Sequence, residues 1–206
     1  MFKSRVSIST RETIEAITLL AYVAEVAEWD NHSHLRRIKG YAYTMCTALG
    51  IPSSEAELIA LSCILHDVGK SATPDELLRR TGKYTKREWQ TMEQHTFEGE
   101  RMMRDAVSPI LRMGAVIALT HHERWNGSGY PNHSAGEDIP LSGRVCAVAD
   151  VFDALTTRRL YKEPIDVEEA IDLIRSSSGT LFDPQVVQVF INSHSEILNI
   201  KNSHGE

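Results

Sequence analysis

Apolar positions return at helical spacing in one segment after another, each bracketed by helix start and stop signals, while strand signals are scarce. The pattern predicts an all-α domain. Ser9-x-x-Glu12 has the form of a capping box opening a helix to about Trp29, and a second periodic stretch runs from about Asn31 to Gly50, with Pro52 just beyond. Ser54-x-x-Glu57 opens a third, which runs into His66. Thr73-Pro74, followed by Asp75 and Glu76, starts a short helix. Thr85-x-x-Glu88 starts a longer one with apolar positions at Met92, Phe97, Met102 and Met103, and Ser108-Pro109 opens another that ends near His121. Arg124 to Pro140 hold Gly127, Gly129, Pro131, Gly136 and Pro140 and form the one long irregular segment. Loops of that length in compact domains are functional or disordered. Helices from about Leu141 to Thr156, after Asp166-x-x-Glu169 and after Asp183-Pro184 close the chain, with a frayed tail over 200–206. No repeat or linker divides the sequence. The expectation is a single domain, 1–206, with an N-terminal helix over about 9–29 and a core over 30–199.

Composition narrows the class. A chain of 206 residues with 42% hydrophobic and 24% charged positions can bury a sizeable core without staples. Its three cysteines, Cys46, Cys63 and Cys146, are widely spaced in apolar segments, as buried thiols of a reducing compartment would be. The N-terminus lacks a secretory h-region, and Glu25 and Glu28 break the apolar stretch that precedes Trp29, so a cytoplasmic protein with no membrane contact is expected. A formal charge of −6 argues against sequence-independent binding to a nucleic-acid polymer. An anionic small substrate is still compatible, because bound divalent cations would dominate the local charge.

The candidate chemistry lies in the histidines. Of nine, His34, His66, His95, His121 and His122 stand out, whereas His32, His133, His194 and His204 fall in polar surroundings and read as solvated. Metal sites need neutral imidazoles and carboxylates converging from several elements. His66-Asp67 sits where a buried helix gives way to a loop, with Gly69 letting the backbone turn so that Lys70 points back. His121-His122 ends an apolar helix, where cation placement against the helix C-terminus is the competing role. His95 lies mid-helix. Asp150 stands in an apolar run where an unpaired carboxylate is costly, and Asp153 follows at i+3. Asp30 is four residues before His34, with Arg37 one turn further on, and serves equally well as a helix N-cap.

These residues resemble the HD-GYP family, the bacterial signalling branch of the HD phosphohydrolases. The blocks are H-L-R-R-I at His34, L-H-D-V-G-K around His66, M-E-Q-H ending at His95, H-H-E-R-W-N-G-S-G-Y-P from His121, the Gly143 to Lys162 segment, and F-D-P at Phe182. The resemblance implies an HD-type helical bundle with a Gly/Pro-rich GYP loop. It implies one ion on His34, His66, Asp67 and Asp150, and a second on Asp67, His95, His121 and His122. A third would use Asp30, where the family has glutamate. Iron is the implied metal, with manganese as the alternative. Lys70 is implied near the scissile phosphate, Tyr130 against a guanine base, and Arg159 and Lys162 against phosphates, with Asp153 on the substrate side. Asn126 and Leu160 depart from the family pattern, and neither is a ligand position.

The function expected is hydrolysis of a cyclic dinucleotide, cyclic di-GMP first, to the linear dinucleotide or GMP. The attacking group would be a hydroxide bridging two metals on Asp67, assisted by Lys70. A metal-bound receptor with little turnover, passing its signal to a GGDEF-type partner, is the alternative; a mononucleotidase fits the GYP loop less well.

Overall fold

The structure, a computed structural model, describes residues 10–25, 31–158 and 163–204. Ten α-helices follow one another: α1 (Thr10–Glu25), α2 (Asn31–Ala48), α3 (Ser53–Cys63), α4 (Asp75–Leu78), α5 (Lys86–Met103), α6 (Pro109–Thr120), α7 (Leu141–Thr156), α8 (Val167–Ser176), α9 (Pro184–Asn192) and α10 (His194–Ser203). Short 3-10 turns cover Val68–Ala72 and Gly136–Asp138. No strand occurs among the described residues, so the all-α expectation holds.

Local chemistry explains most of the boundaries. The Thr85 capping box forms as expected: Thr85 Oγ1 accepts from Glu88 N, and Glu88 Oε2 accepts from Thr85 N at 2.8 Å. Asp166 and Asp183 accept from the second backbone amides of α8 and α9. The Ser54 box does not form. Pro52 is the N-cap of α3, which places Ser54 inside the first turn and leaves Glu57 to pair with Lys39 at 3.1 Å. Ser9, the other expected cap, lies outside the described residues.

Helices α2, α3, α6 and α7 pack around a core that includes Ile38, Tyr41, Met45, Ile117, Val148 and Phe152. A second cluster, with Leu35, Leu65, Met103 and Ala118, ties α2, α3, α5 and α6. Removing such surface from water supplies the main stabilisation of a bundle of this kind. On α5, Met92 and Met103 are buried, but Phe97 and Met102 stay exposed, because His95, Thr96 and Gly99 occupy the inward stripe instead. The expected frayed tail is also corrected through His204. Helix α10 docks on the bundle, Lys201 Nζ donates to Thr156 O at 2.7 Å, and Arg37 Nη1 donates to His204 O at 2.8 Å.

Two glycines place the site. A Cβ on Gly69 would lie 1.9 Å from the His95 carbonyl oxygen, so only glycine lets the 3-10 turn press against α5. Close approach, rather than the turn freedom expected from sequence, is therefore the role of Gly69. A Cβ on Gly129 would likewise meet His122 O at 2.5 Å, which lets the irregular segment fold back onto the end of α6, where Tyr130 N donates to His122 O.

Candidate metal centre

Five elements deliver the chemistry to one place. The α3 exit supplies His66 and Asp67, α5 supplies His95, the α6 exit supplies His121 and His122, and α2 and α7 supply His34 and Asp150. Their potential ligand atoms fall into two groups, each within 4.8 Å throughout: Asp67 with His95, His121 and His122, and His34 with His66 and Asp150. Asp67 lies between the groups. Its Oδ2 is 3.3 Å from His66 Nε2, and its Oδ1 is 3.3 Å from His95 Nε2 and 3.6 Å from His121 Nε2. His66 Nε2 in turn lies 3.8 Å from Asp150 Oδ1.

The rings are aimed by their other nitrogen. Backbone carbonyls accept from Nδ1 of His66 (Cys63 O, 2.9 Å), His95 (Met92 O, 2.6 Å) and His121 (Ala118 O, 3.0 Å), which turns each Nε2 inward. His34 is held differently: its Nδ1 donates to Asp153 Oδ2 at 2.7 Å, and Asp153 is clamped by Arg37 through Nε at 2.6 Å and Nη2 at 3.0 Å. Asp153 is 1% exposed with both oxygens occupied. The expectation that it touches substrate is therefore corrected: it orients His34 from behind. Arg37 belongs to the same apparatus, and its only sequence signal is its place one turn after His34.

A metal fits the donor set. Asp67 Oδ1 and Nε2 of both His95 and His121 are buried and, among the described residues, make no hydrogen bond, a costly state that cations would relieve. Burial, reinforced by the neighbouring His121, pushes the His95 imidazole down to about 4 despite the pull of Asp67. Burial and the adjacent His121 and His95 also keep the His122 imidazole well below its ordinary range. Both rings are thus neutral near pH 7, as ligands must be. Burial opposes ionisation of Asp67 most strongly, yet Lys70 and the surrounding imidazoles together hold its carboxyl well below the usual carboxylate range. Burial acts in the same sense on Asp153, where His34 and Arg37 win and keep the carboxylate ionised.

Around this centre, Lys70 Nζ donates to Asp67 Oδ2 at 2.7 Å. Tyr130 stacks on His122 with ring centroids 4.7 Å apart, and burial raises its phenol well above the ordinary range. A cleft of about 290 Å³ opens beside His121, His122 and Tyr130, with an apolar wall that includes Val151, Leu155 and Phe182. Sequence reasoning passed over Glu123, which is 3% exposed and accepts from Asn132 N at 2.7 Å, pinning the irregular segment beside His122. Asp30, Arg159 and Lys162 lie outside the described residues. His133 and His194 are exposed, as expected, whereas the His204 carbonyl is part of the Arg37 clamp.

Comparison with known proteins places this geometry in context. Residues 18–186 match the HD domain family. A cyclic di-GMP phosphodiesterase of Thermotoga maritima is 40% identical over 186 residues, covering 90% of this chain and 50% of that protein. A 3'3'-cGAMP-specific phosphodiesterase of Vibrio cholerae is 36% identical, covering 95% of this chain and 38% of that protein. The chain thus spans half or less of the length of these relatives. Among solved structures, a cyclic GMP-AMP specific phosphodiesterase of V. cholerae superimposes with a TM-score of 0.65 at 19% identity, over 94% of this chain and 50% of that one. The HD domain of the L. monocytogenes phosphodiesterase PgpH, in complex with cyclic di-AMP, gives a TM-score of 0.60 at 15% identity, over 93% of this chain and 98% of that one. No helix among the described residues is long and apolar enough to cross a membrane.

Proposed function

This chain belongs to the HD domain family, in its HD-GYP branch, and on that premise we propose that it is a metal-dependent phosphodiesterase of cyclic dinucleotides, with cyclic di-GMP as the first substrate to test. The observation that carries the proposal is the meeting of two ligand groups at Asp67. His34, His66 and Asp150 would hold one ion and His95, His121 and His122 a second, with Asp67 shared; a third would depend on Asp30. Iron or manganese suits this mixture of imidazole and carboxylate. Such ions supply Lewis acidity and an activated water for in-line attack on phosphorus.

The chain's own groups do the rest. Lys70, beside Asp67, would balance charge on the non-bridging phosphate oxygens or deliver a proton to the departing ribose oxygen. Tyr130 would hold a base next to His122, and the apolar cleft would limit water around the reacting phosphate. Arg159 and Lys162 are assigned to the phosphates on sequence alone.

The test is elemental analysis of anaerobically purified protein together with chromatography of its products. Two ions per chain and conversion of cyclic di-GMP to a linear product are expected, with both lost in Asp67→Ala. Unchanged dinucleotide after long incubation with iron or manganese would replace this reading with a receptor.

A further inference from the structure

The stretch from the end of α4 into the first turn of α5 is the most basic of an acidic chain. Between residues 79 and 89 it holds five cations, Arg79, Arg80, Lys83, Lys86 and Arg87, against one acid, Glu88. That acid is already engaged by Thr85 N and Arg80. All five cations sit on exposed positions. Such a concentration of one sign raises the local concentration of an anionic ligand even when the whole protein is negative.

An exposed aromatic ring, Trp89, closes this stretch. Trp89 is 44% exposed and lies in the first turn of α5. It lies at the outer end of a run of rings that starts at the candidate metal centre. His122 stacks on Tyr130 at 4.7 Å, and Tyr130 meets Trp89 edgewise at 5.9 Å and 80°. Tyr84 supports the indole from the other side at 6.1 Å and is fastened by its hydroxyl to Leu77 O at 3.1 Å. A perpendicular contact covers less of an indole face than a stacked one, so Trp89 retains aromatic surface toward solvent. A half-exposed indole in contact with two tyrosine rings, at the end of a cation-rich stretch of sequence, matches the stacking platforms that bind single-stranded nucleotides.

We propose that Trp89 is a specificity-determining residue that stacks on one nucleobase of the dinucleotide while a phosphate occupies the metal centre, with the Arg79 to Arg87 cations drawing the anion in. The proposal rests on the cyclic-dinucleotide reading above. Trp89 touches no reacting atom, so its contribution belongs to binding of the base and falls on KM rather than kcat.

The experiment compares the metal-loaded full chain with its Trp89→Phe and Trp89→Ala variants on cyclic di-GMP and on bis(p-nitrophenyl) phosphate, a diester with no nucleobase. Trp89→Ala is expected to raise the KM for cyclic di-GMP relative to that for the baseless diester about tenfold, with Trp89→Phe recovering most of the loss. An unchanged ratio in Trp89→Ala overturns the proposal. So does an equal loss on both diesters, which marks a structural role. If the wild-type protein does not hydrolyse cyclic di-GMP, the enzymatic reading fails, and tryptophan fluorescence decides the platform separately. Quenching by the dinucleotide that disappears in Trp89→Phe upholds it, and quenching that is absent or unchanged in that variant refutes it.

Discussion

The imidazoles that gather around Asp67 are aimed by two different means. His66, His95 and His121 each lean on a carbonyl of their own chain three residues back, so their direction comes with the local backbone. His34 leans on a carboxylate 119 positions away, which is itself clamped by Arg37 across 116 positions. The first device is cheap and local. The second works only after α2, α7 and α10 have packed, and it sets a carboxylate, shared with the Arg37 guanidinium, behind the ring to fix the tautomer and direction of the imidazole. His66, His95 and His121 are thus robust to distant change, whereas His34 is tied to the assembly of the whole bundle.

The sharpest way to break this contrast is Asp153→Ala. It leaves the Arg37 guanidinium buried without its carboxylate, and removing one partner of a buried pair costs roughly 3–5 kcal/mol. Metal affinity on the His34 side is expected to fall about 10–100-fold while the His95 side keeps its ion. Metal titration monitored by calorimetry, alongside urea unfolding, measures both; equal loss of the two ions would show that the halves are not separately held.

Acid separates the halves in the other direction. His95 has its folded value pushed below 6.5 to about 4, so between those values the unfolded chain binds more protons than the folded one. Stability of the metal-stripped protein is therefore complete above about pH 6.5 and falls, by on the order of 3 kcal/mol from this group, as the pH drops to about 4. Asp153 is shifted in the same direction from a carboxylate's starting point, so its share is lost only below that range. Urea midpoints taken from pH 8 to pH 2 check the sequence of losses; a flat profile above pH 4 would remove the basis for buried neutral histidines.

Gly69→Ala strikes the seat of the 3-10 turn on α5. The added methyl would collide with the His95 carbonyl oxygen and force the 3-10 turn off α5, with an expected loss of about 1–3 kcal/mol. The ion beside His95 should weaken more than the one beside His34, as read by metal stoichiometry at limiting concentration. The smallest expected effect is Thr157→Val. It removes the 3.3 Å bond from Arg37 Nη2 to Thr157 Oγ1, about 0.5–1.5 kcal/mol, and leaves the His95 side untouched in thermal melts with and without metal.

How much of this was readable from the residues depended on whether the determining contact was local. The helices were legible because caps and apolar spacing act within a turn, as at Thr85, Asp166 and Asp183. The expected ligands His34, His66, Asp67, His95, His121, His122 and Asp150 do converge, since imidazoles and acids in apolar surroundings have few other ways to be satisfied. Asp153 was misplaced because spacing sets it on the same helix as Asp150 but says nothing of what stands opposite, and its partners come from α2. Gly69 was given the wrong reason for the same cause: the helix that demands its bareness begins more than fifteen positions later in the chain. The hold on residues 201–204 was equally invisible, since it depends on Thr156 and Arg37.

The bond from Arg37 to the His204 carbonyl spans 167 positions, and that span has a consequence for synthesis. At about 5–20 residues per second, a ribosome needs roughly 10–30 s after making Arg37 to deliver the oxygen that completes its shell. Through that interval the His95 half can already assemble, since all of its residues lie before position 123. The ligands proposed beside His95 are therefore complete in the chain before Asp150 and Asp153 have been made, so any metal taken up during synthesis would meet that group first.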